Sequence, residues 1–271
     1  MKNSANLVLQ RFRKVEKLMR KVLSNGFLFF FILINSIFSA QSFLPPVDAK
    51  QSKIVVVIDP GHGGGDWGIN YKGVYEKNIN LEVAQRIANK LKKDNPNISV
   101  FMTRTDDQFL SINDRVSYAN NTKGNIFISI HCDFVPSENI SGYKIFYLST
   151  NLVLDKVNNE FLNWDLVQVP YIPASQKLAG FIDQYMKAAL IKENSNITGN
   201  DEDDVLPMES RGVMGVKSYL LKSINMPAVV VELGNINNRN DFSYLNDKNI
   251  IDQIAYHIKQ GIINYINKTG Y

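Results

Sequence analysis

The feature that most limits how this chain can fold is an alternation of short apolar runs with segments of helical periodicity, which begins at residue 53. Lys53–Asp59 is a nearly continuous apolar run that a Pro-Gly pair ends, as in strands buried on both faces of a sheet. Apolar residues then recur at helical spacing over Asn80–Leu91, and Ile98–Thr103 predicts another strand. The order strand, helix, strand is typical of α/β domains.

The same pattern continues to the end of the chain. It predicts strands at Asn125–His131, Ser141–Leu148 and Ala228–Glu232, and helices after the cap residue Ser111, over Ser175–Ile191 and over Asp247–Ile266. Two segments lack a strong period, an insert over residues 151–173 and an acidic loop over residues 193–210. We therefore predict one α/β domain over residues 53–271 that carries these two irregular segments.

The first 42 residues have the features of an export signal. Residues 1–21 carry a net charge of +6, and the apolar stretch Gly26–Phe38 that follows is shorter than the ~20 residues of a membrane-spanning helix. Ala40 and Ser42 are small residues placed for cleavage before Phe43, and Met19 offers a second, more compact start. An uncleaved N-terminal anchor is the alternative. Both place the domain outside the cytoplasm, and after cleavage no stable membrane span is expected.

Charge and cysteine content narrow the classes of protein further. The chain has 271 residues and a net charge of +4, so the part after the basic N-terminus carries −2, which argues against a nucleic-acid-binding domain. Residues 43–52 contain two prolines and predict an extended linker. Cys132 is the only cysteine, so no internal disulfide can form, and a core or a bound metal must hold the domain together. We expect the domain to be a monomer.

Two of the three histidines lie at the ends of predicted strands, where an open α/β sheet gathers its ligands. His62 follows the first strand within a glycine-rich loop, and His131 ends a later one. Glu76, at the start of the first helix, could complete a set of two histidines and one carboxylate that holds a catalytic zinc. The alternatives are two buried structural histidines, and a carboxylate that interacts with the helix dipole.

Glu232 ends the apolar strand Ala228–Glu232. A carboxylate there is costly unless it is paired or lies near a cation, so it is either a catalytic group or half of a buried salt bridge. The four candidates are separated by 14, 55 and 101 residues, so no local motif connects them. Sequence spacing alone is therefore weak evidence for a metal site.

Seven segments in order resemble the zinc-dependent N-acetylmuramoyl-L-alanine amidase family (amidase type 3), which cuts bacterial peptidoglycan. They are IDPGHGGGDWG, YEKNINLEVAQRIANKL, VFMTRTDD, INDRVSYAN, IFISIHCD, SGYKIFYL and MPAVVVELGNINN, within a match over about Ile54–Ile266. The resemblance implies a single α/β domain with a mixed, mostly parallel sheet and helices on both faces. It also implies that His62, Glu76 and His131 hold zinc.

The resemblance further implies that Glu232 is the catalytic carboxylate and that the substrate is peptidoglycan, in the periplasm or the cell-wall space. Zinc would activate a water, and Glu232 would take its proton and deliver it to the leaving amine of L-alanine. Two other functions stay open. One is a zinc peptidase or carboxypeptidase acting on stem peptides, and the other is a wall-binding protein without turnover.

Several residues keep two explanations. Phe161, Trp164 and Tyr171 of the insert either form a rim that stacks on sugar or pack into the core. Some members of the family carry an insert that blocks the zinc until an activator protein moves it; Glu202 and Glu209 are candidate blocking carboxylates, and a solvated loop is the alternative. Arg104 and Arg115 either bind a carboxylate of the stem peptide or form salt bridges. Cys132 should point away from the metal into the core, and we expect His257 to be structural.

Overall fold

The structure, a computed structural model, describes residues 53–149, 167–194 and 208–270, together with Arg13, Lys14, Glu16, Lys17 and Arg20; the side chains of residues 188–194 are not described. The contacts between residues divide the chain into two compact units, Met1–Ser52 and Lys53–Tyr271. In the first unit the described residues are helical and exposed, and Arg20 pairs with Glu16 at 3.0 Å. The predicted apolar signal core, cleavage site and linker lie outside the described residues. No helix among the described residues is long and apolar enough to span a membrane.

The second unit contains a six-stranded sheet. Its strands, numbered along the chain, are β1 (Ile54–Pro60), β4 (Ile98–Met102), β5 (Ile126–Asp133), β6 (Tyr143–Leu148), β7 (Ser210–Val216) and β8 (Ala228–Asn235), and a hairpin of β2 (Asn70–Tyr71) and β3 (Val74–Tyr75) stands apart. The order across the sheet is β4-β1-β5-β8-β6-β7. The first four strands in that order run parallel, whereas β6 is antiparallel to β8 and β7 is parallel to β6. The predicted mixed, mostly parallel sheet is confirmed.

Helices cover both faces of this sheet, as predicted. They are α1 (Glu76–Asp94), α2 (Ile112–Asn121), α3 (Ile172–Asn194), α4 (Tyr219–Lys222), α5 (Arg239–Asn246) and α6 (Lys248–Thr269). The larger core cluster joins one face of the sheet to α1, α3, α5 and α6, and the smaller cluster joins the other face to α2 and α4. Because side chains alternate along a strand, Val56 and Ile58 lie in the first cluster and Val57 lies in the second.

The helix ends follow local capping chemistry. The Ser111 hydroxyl accepts a hydrogen bond from the backbone N–H of Asp114, and the Asp114 carboxylate accepts one from the backbone N–H of Ser111, so the predicted cap is a complete capping box. Asp247 caps α6, and Gly270 ends that helix in a left-handed conformation. Along the predicted helix α6 the isoleucines Ile251, Ile254, Ile258, Ile262 and Ile266 are buried, and Ile250 is partly buried.

Some boundaries were wrong or missing in the sequence prediction. The insert was expected to stay irregular through residue 173, but Val169–Tyr171 forms a 3-10 turn and α3 begins at Ile172. Residues 150–166, with Phe161 and Trp164, lie outside the described residues, as do residues 195–207 of the acidic loop. Strand β7 was not predicted, because its sequence SRGVMGV has two glycines and no alternation of apolar with polar residues.

Candidate metal and catalytic site

The four candidate residues meet at the carboxyl ends of the central parallel strands. His62 lies two residues after β1, His131 lies in β5, Glu232 lies in β8, and Glu76 is the first residue of α1. His62, His131 and Glu232 line one cleft of about 760 Å³, and residues at the N-terminal ends of α2 and α4 line it as well. Carboxyl ends of parallel strands are where α/β sheets bind their ligands, so tertiary structure joins residues that are far apart in sequence.

Three of these residues form a cluster of potential metal ligands. Glu76 Oε1 lies 3.2 Å from His62 Nε2 and 3.1 Å from His131 Nδ1. One ligand atom from each of the three residues lies within 4.8 Å of the others. Two imidazoles and a carboxylate make a donor set that suits zinc with a further position open for water. The donor chemistry of the residues present therefore fits the ion that the sequence analysis expects.

Glu76 is held in place by the backbone around it. Oε2 accepts a hydrogen bond from the Ile69 N–H at 3.0 Å, and Oε1 accepts one from the Cys132 N–H at 3.1 Å and one from the Asn80 side-chain amide at 3.2 Å. Burial by itself raises the pKa of Glu76, but hydrogen bonds and charge from His131 and His62 outweigh it and hold that pKa well below its ordinary value. Glu76 is therefore a buried, ionised and preoriented carboxylate.

The glycine-rich loop after β1 is shaped around these candidate ligands. His62 has a φ of 60°, in the left-handed region that non-glycine residues seldom adopt and that is concentrated at functional sites. A Cβ atom at Gly61 would lie 2.1 Å from the His131 ring, and one at Gly68 would lie 2.5 Å from Glu76 Oε2. Only glycine lets the backbone approach the two ligands this closely.

Asp66, a residue that the sequence analysis did not single out, orients His62. Its Oδ2 lies 2.8 Å from His62 Nδ1. A carboxylate on one ring nitrogen fixes the tautomer and leaves the other nitrogen free to bind a metal, which here is the nitrogen that faces Glu76. The signal in the sequence was the position of Asp66, four residues after His62 in the same loop.

Two buried arginines stabilise the glycine-rich loop through hydrogen bonds to backbone carbonyls. Arg104 donates to the backbone carbonyls of Pro60, Gly61 and Lys77, and Arg115 donates to those of Pro60 and His62. Arg115 also pairs at 2.6 Å with Asp59, which is fully buried. Both guanidinium groups therefore stabilise the backbone conformation of the glycine-rich loop that carries His62. Arg115 also forms a salt bridge, which was one of its two predicted explanations. Arg115 also lines the cleft beside His62, so a contact with a carboxylate of the stem peptide stays a prediction for it.

Replacing Arg115 with Met is expected to lower the free energy of unfolding by about 3–5 kcal/mol, because it leaves the Asp59 carboxylate buried without its cation. Urea unfolding of the purified protein at pH 7 measures this. Arg86→Met is the matched control: Arg86 pairs with Glu82 and Asp252 at the surface, where such a pair contributes about 0–1 kcal/mol. Equal losses in the two variants would contradict a structural role for the Asp59–Arg115 pair.

Glu232 lies beside the cluster of candidate ligands, and one oxygen of its buried carboxylate accepts no hydrogen bond from the described residues. Glu232 is in register with His131 of β5, and this oxygen is Oε2. Burial raises the pKa of Glu232 above its ordinary value, and the charges of Asp133 and Glu76 add to this effect against the opposing charges of His131 and Lys144. A buried acceptor without a partner is uncommon and is typical of a group whose partner is a ligand.

The other candidates that the structure describes lie outside the cluster. Cys132 is buried in the larger core cluster, as predicted, and its side chain lies 3.7 Å from Asn80 Oδ1. Glu209 is exposed, and the structure describes no contact of its carboxylate with the cluster, whereas Glu202 lies outside the described residues. His257 is on α6, packed against the ring of Tyr256. Tyr171 lies in the 3-10 turn and is partly buried.

Comparison with known proteins identifies relatives over almost the whole second unit. A family model described as N-acetylmuramoyl-L-alanine amidase matches residues 56–264. A curated protein from Buchnera aphidicola, named putative N-acetylmuramoyl-L-alanine amidase, is 30% identical over 238 residues, which cover 82% of this chain and 98% of that protein. These matches confirm the resemblance that the ordered sequence segments indicated.

Solved structures agree in fold. The N-acetylmuramoyl-L-alanine amidase of Clostridium difficile 630 aligns with a TM-score of 0.64 and 27% identity, over 81% of this chain and all of that one. The catalytic domain of CwlV, an N-acetylmuramoyl-L-alanine amidase of Bacillus (Paenibacillus) polymyxa, aligns with a TM-score of 0.62 and 28% identity, over 79% of this chain and 98% of that one. The sheet and helices described above are therefore those of amidase catalytic domains.

Proposed function

The chain belongs to the N-acetylmuramoyl-L-alanine amidase family and is a hydrolase of peptidoglycan, and from this we propose that it works as an exported zinc enzyme with Glu232 as the proton-transfer group. The scissile bond joins the lactyl carbonyl of N-acetylmuramic acid to the amine of L-alanine. The observation that carries the zinc proposal is the approach of His62 Nε2 and His131 Nδ1 to Glu76 Oε1, at 3.2 and 3.1 Å.

In this proposal each residue has one task. His62, Glu76 and His131 hold the ion, and Asp66 orients His62 through Nδ1. When bound, zinc supplies a Lewis acid that polarises the scissile carbonyl and lowers the pKa of a water toward ~7. Arg104 and Arg115 maintain the loop that carries His62.

Glu232 carries the proton in both halves of the reaction. Its position beside His131 and its free Oε2 allow it to accept a proton from the attacking water. It then gives that proton to the amide nitrogen, which leaves as the neutral amine of L-alanine because an unprotonated amide nitrogen is a poor leaving group. The hydroxyl of the water stays on the lactyl carbon as a carboxylic acid, so one water is consumed for each bond cut.

Digestion of purified peptidoglycan with the zinc-loaded protein, followed by mass spectrometry of the soluble products, tests this function. We expect stem peptides that begin with a free L-alanine amine, and no such products after chelation. Cleavage inside the stem peptides would instead support the peptidase alternative. No products from protein that holds one zinc per chain would support either a blocked site or the wall-binding alternative, and deletion of residues 202–209 would distinguish the two, because only a blocked site becomes active.

Asp66→Asn is expected to weaken zinc binding by about 10- to 100-fold, the usual cost of losing a carboxylate behind a histidine ligand. Competition with a chromogenic chelator measures the affinity independently of activity. Asp107→Asn is the control, because Asp107 binds Lys77 and the Gly64 N–H near the same loop but contacts none of the proposed ligands. Equal affinities of the Asp66 variant and the wild type would contradict the orienting role.

Export and regulation are further parts of the proposal. The basic, apolar and small-residue order of residues 1–42 supports export to the cell envelope with cleavage before Phe43. Mass spectrometry of the mature protein tests this, since an N-terminus at Phe43 indicates cleavage and a retained apolar segment indicates an anchor. A requirement for an activator that displaces Glu202 or Glu209 stays a prediction.

A further inference from the structure

A row of functional and charged residues crosses the sheet from the ligand cluster toward one edge. His131 of β5 is in register with Glu232 of β8, and Glu232 is in turn in register with Lys144 of β6. Directly opposed residues in neighbouring strands project on the same face of a sheet. The row therefore continues past the proposed proton-transfer group to a lysine on the next strand.

Arg211 of β7 extends this row. Lys144 Nζ and Arg211 Nη1 each lie 2.6 Å from the same oxygen, Asp133 Oδ2, and Asp133 is two residues after His131. The three side chains are largely shielded, with 12%, 21% and 14% of the surface of Lys144, Arg211 and Asp133 exposed. Two cations share one carboxylate, so the trio Lys144–Asp133–Arg211 carries a net charge of +1 beside Glu232.

The guanidinium of Arg211 has N–H donors that no described residue accepts. It has five N–H groups, and one hydrogen bond to Asp133 is the only one that it makes within the described residues. A planar guanidinium fixed on one side by a carboxylate presents its remaining N–H groups in a geometry that suits a second carboxylate. Lys144 lies over the ring of Phe146 and binds the same oxygen of Asp133 as Arg211 does.

The direction of the row sets which part of the substrate reaches Arg211. In the proposed function the scissile carbonyl lies at the His62–Glu76–His131 cluster and the leaving amine lies at Glu232. The leaving peptide then extends from β8 toward β6 and β7. Neighbouring strands are ~4.8 Å apart, so β7 lies about 10 Å beyond β8, which is the span of about three residues of extended peptide. Arg211 also reaches back toward Asp133, which shortens this distance.

We propose that Arg211, held by Asp133 and Lys144, is a specificity-determining residue that binds a carboxylate of the leaving peptide, one or two residues after the L-alanine. This inference rests on the proposed function, because it takes the position of the leaving amine from the role of Glu232. It explains why a site already rich in carboxylates keeps a surplus cation on the side where the product peptide departs.

Two substrates that differ only in one charge test it. They are N-acetylmuramoyl-L-alanyl-glycine, which ends in a carboxylate, and its C-terminal carboxamide. For the wild-type zinc enzyme we expect kcat/KM to be about tenfold higher for the acid, the effect of one charge-assisted hydrogen bond. Equal values would overturn the inference and leave the proposed function intact, whereas no cleavage of either substrate would overturn the proposed function itself.

Variants then assign the preference to Arg211. Arg211→Gln should reduce the preference to within about twofold by losing activity on the acid and not on the carboxamide. Activity on the carboxamide also reports that the variant folds. Arg211→Lys should keep most of the preference, and Lys92→Gln, which removes an exposed cation of α1, should keep all of it. A preference that persists in Arg211→Gln would overturn the assignment.

Discussion

Replacing Glu232 with Gln is expected to lower kcat on peptidoglycan by at least about a thousandfold, near the upper range for loss of a general base and acid. Zinc content should stay at one ion per chain, because Glu232 lies outside the cluster of His62, Glu76 and His131. The amide of Gln has nearly the shape of the carboxylate but cannot accept and return a proton. The combination of a full metal site with lost turnover separates a role in proton transfer from a role in metal binding.

The same variant tests whether the native fold needs a charged carboxylate at position 232. Because the Oε2 of Glu232 is buried without a hydrogen bond from the described residues, a neutral side chain of the same shape should not lower the melting temperature. Glu138→Gln is the control for activity, since Glu138 is exposed and lies outside the cleft. A Glu232→Gln protein with more than about a tenth of wild-type kcat would rule out Glu232 as the required base.

Replacing Glu76 with Gln is expected to abolish stoichiometric zinc binding and, with it, detectable turnover. Glu76 is the group on which both histidines converge, and its oxygens already accept hydrogen bonds from three donors. A neutral amide is a poor zinc ligand, and its NH₂ group would face one of those donors. The loss of affinity should therefore exceed the 10- to 100-fold expected for Asp66→Asn.

Metal analysis after dialysis against a weak chelator measures zinc per chain. Glu82→Gln is the matched control on the same helix, because Glu82 pairs with Arg86 near the surface and lies outside the cluster of candidate ligands. Adding zinc back to the stripped wild type should restore activity, and the same addition should not restore the Glu76 variant. A Glu76→Gln protein that keeps one tightly bound zinc would contradict the proposed ligand set.

Local sequence patterns were sufficient for the elements that carry the site. The apolar run before His62, the strand that contains His131 and the strand that contains Glu232 were all predicted, because strands buried on both faces read as continuous apolar segments. The first helix was predicted from its periodicity, and its predicted start at Glu76 is confirmed. Edge strand β7 was missed, and with it the register that brings Arg211 toward Asp133.

The roles of the arginines show what sequence could not decide. Arg104 and Arg115 had two equally good explanations, and only the structure shows that both guanidinium groups bind the carbonyls of residues 60–62. A guanidinium binds a carboxylate or a backbone carbonyl with the same N–H donors. Composition and sequence spacing therefore do not indicate which of the two it binds. The role of Asp66 was visible only as a position in a loop until the loop conformation brought it to His62.

The sequence by itself determined the α/β class, the candidate ligands and the candidate catalytic carboxylate, because burial and periodicity act within a few residues and the ordered segments match one family. Tertiary structure alone decided that residues up to 170 positions apart, His62 and Glu232, meet at one edge of the sheet. It also decided which donors bind the glycine-rich loop and which donors no described residue accepts. Hydrogen bonds and ion pairs depend on distances of about 3 Å between elements, and those distances arise only from the register and packing of the whole domain.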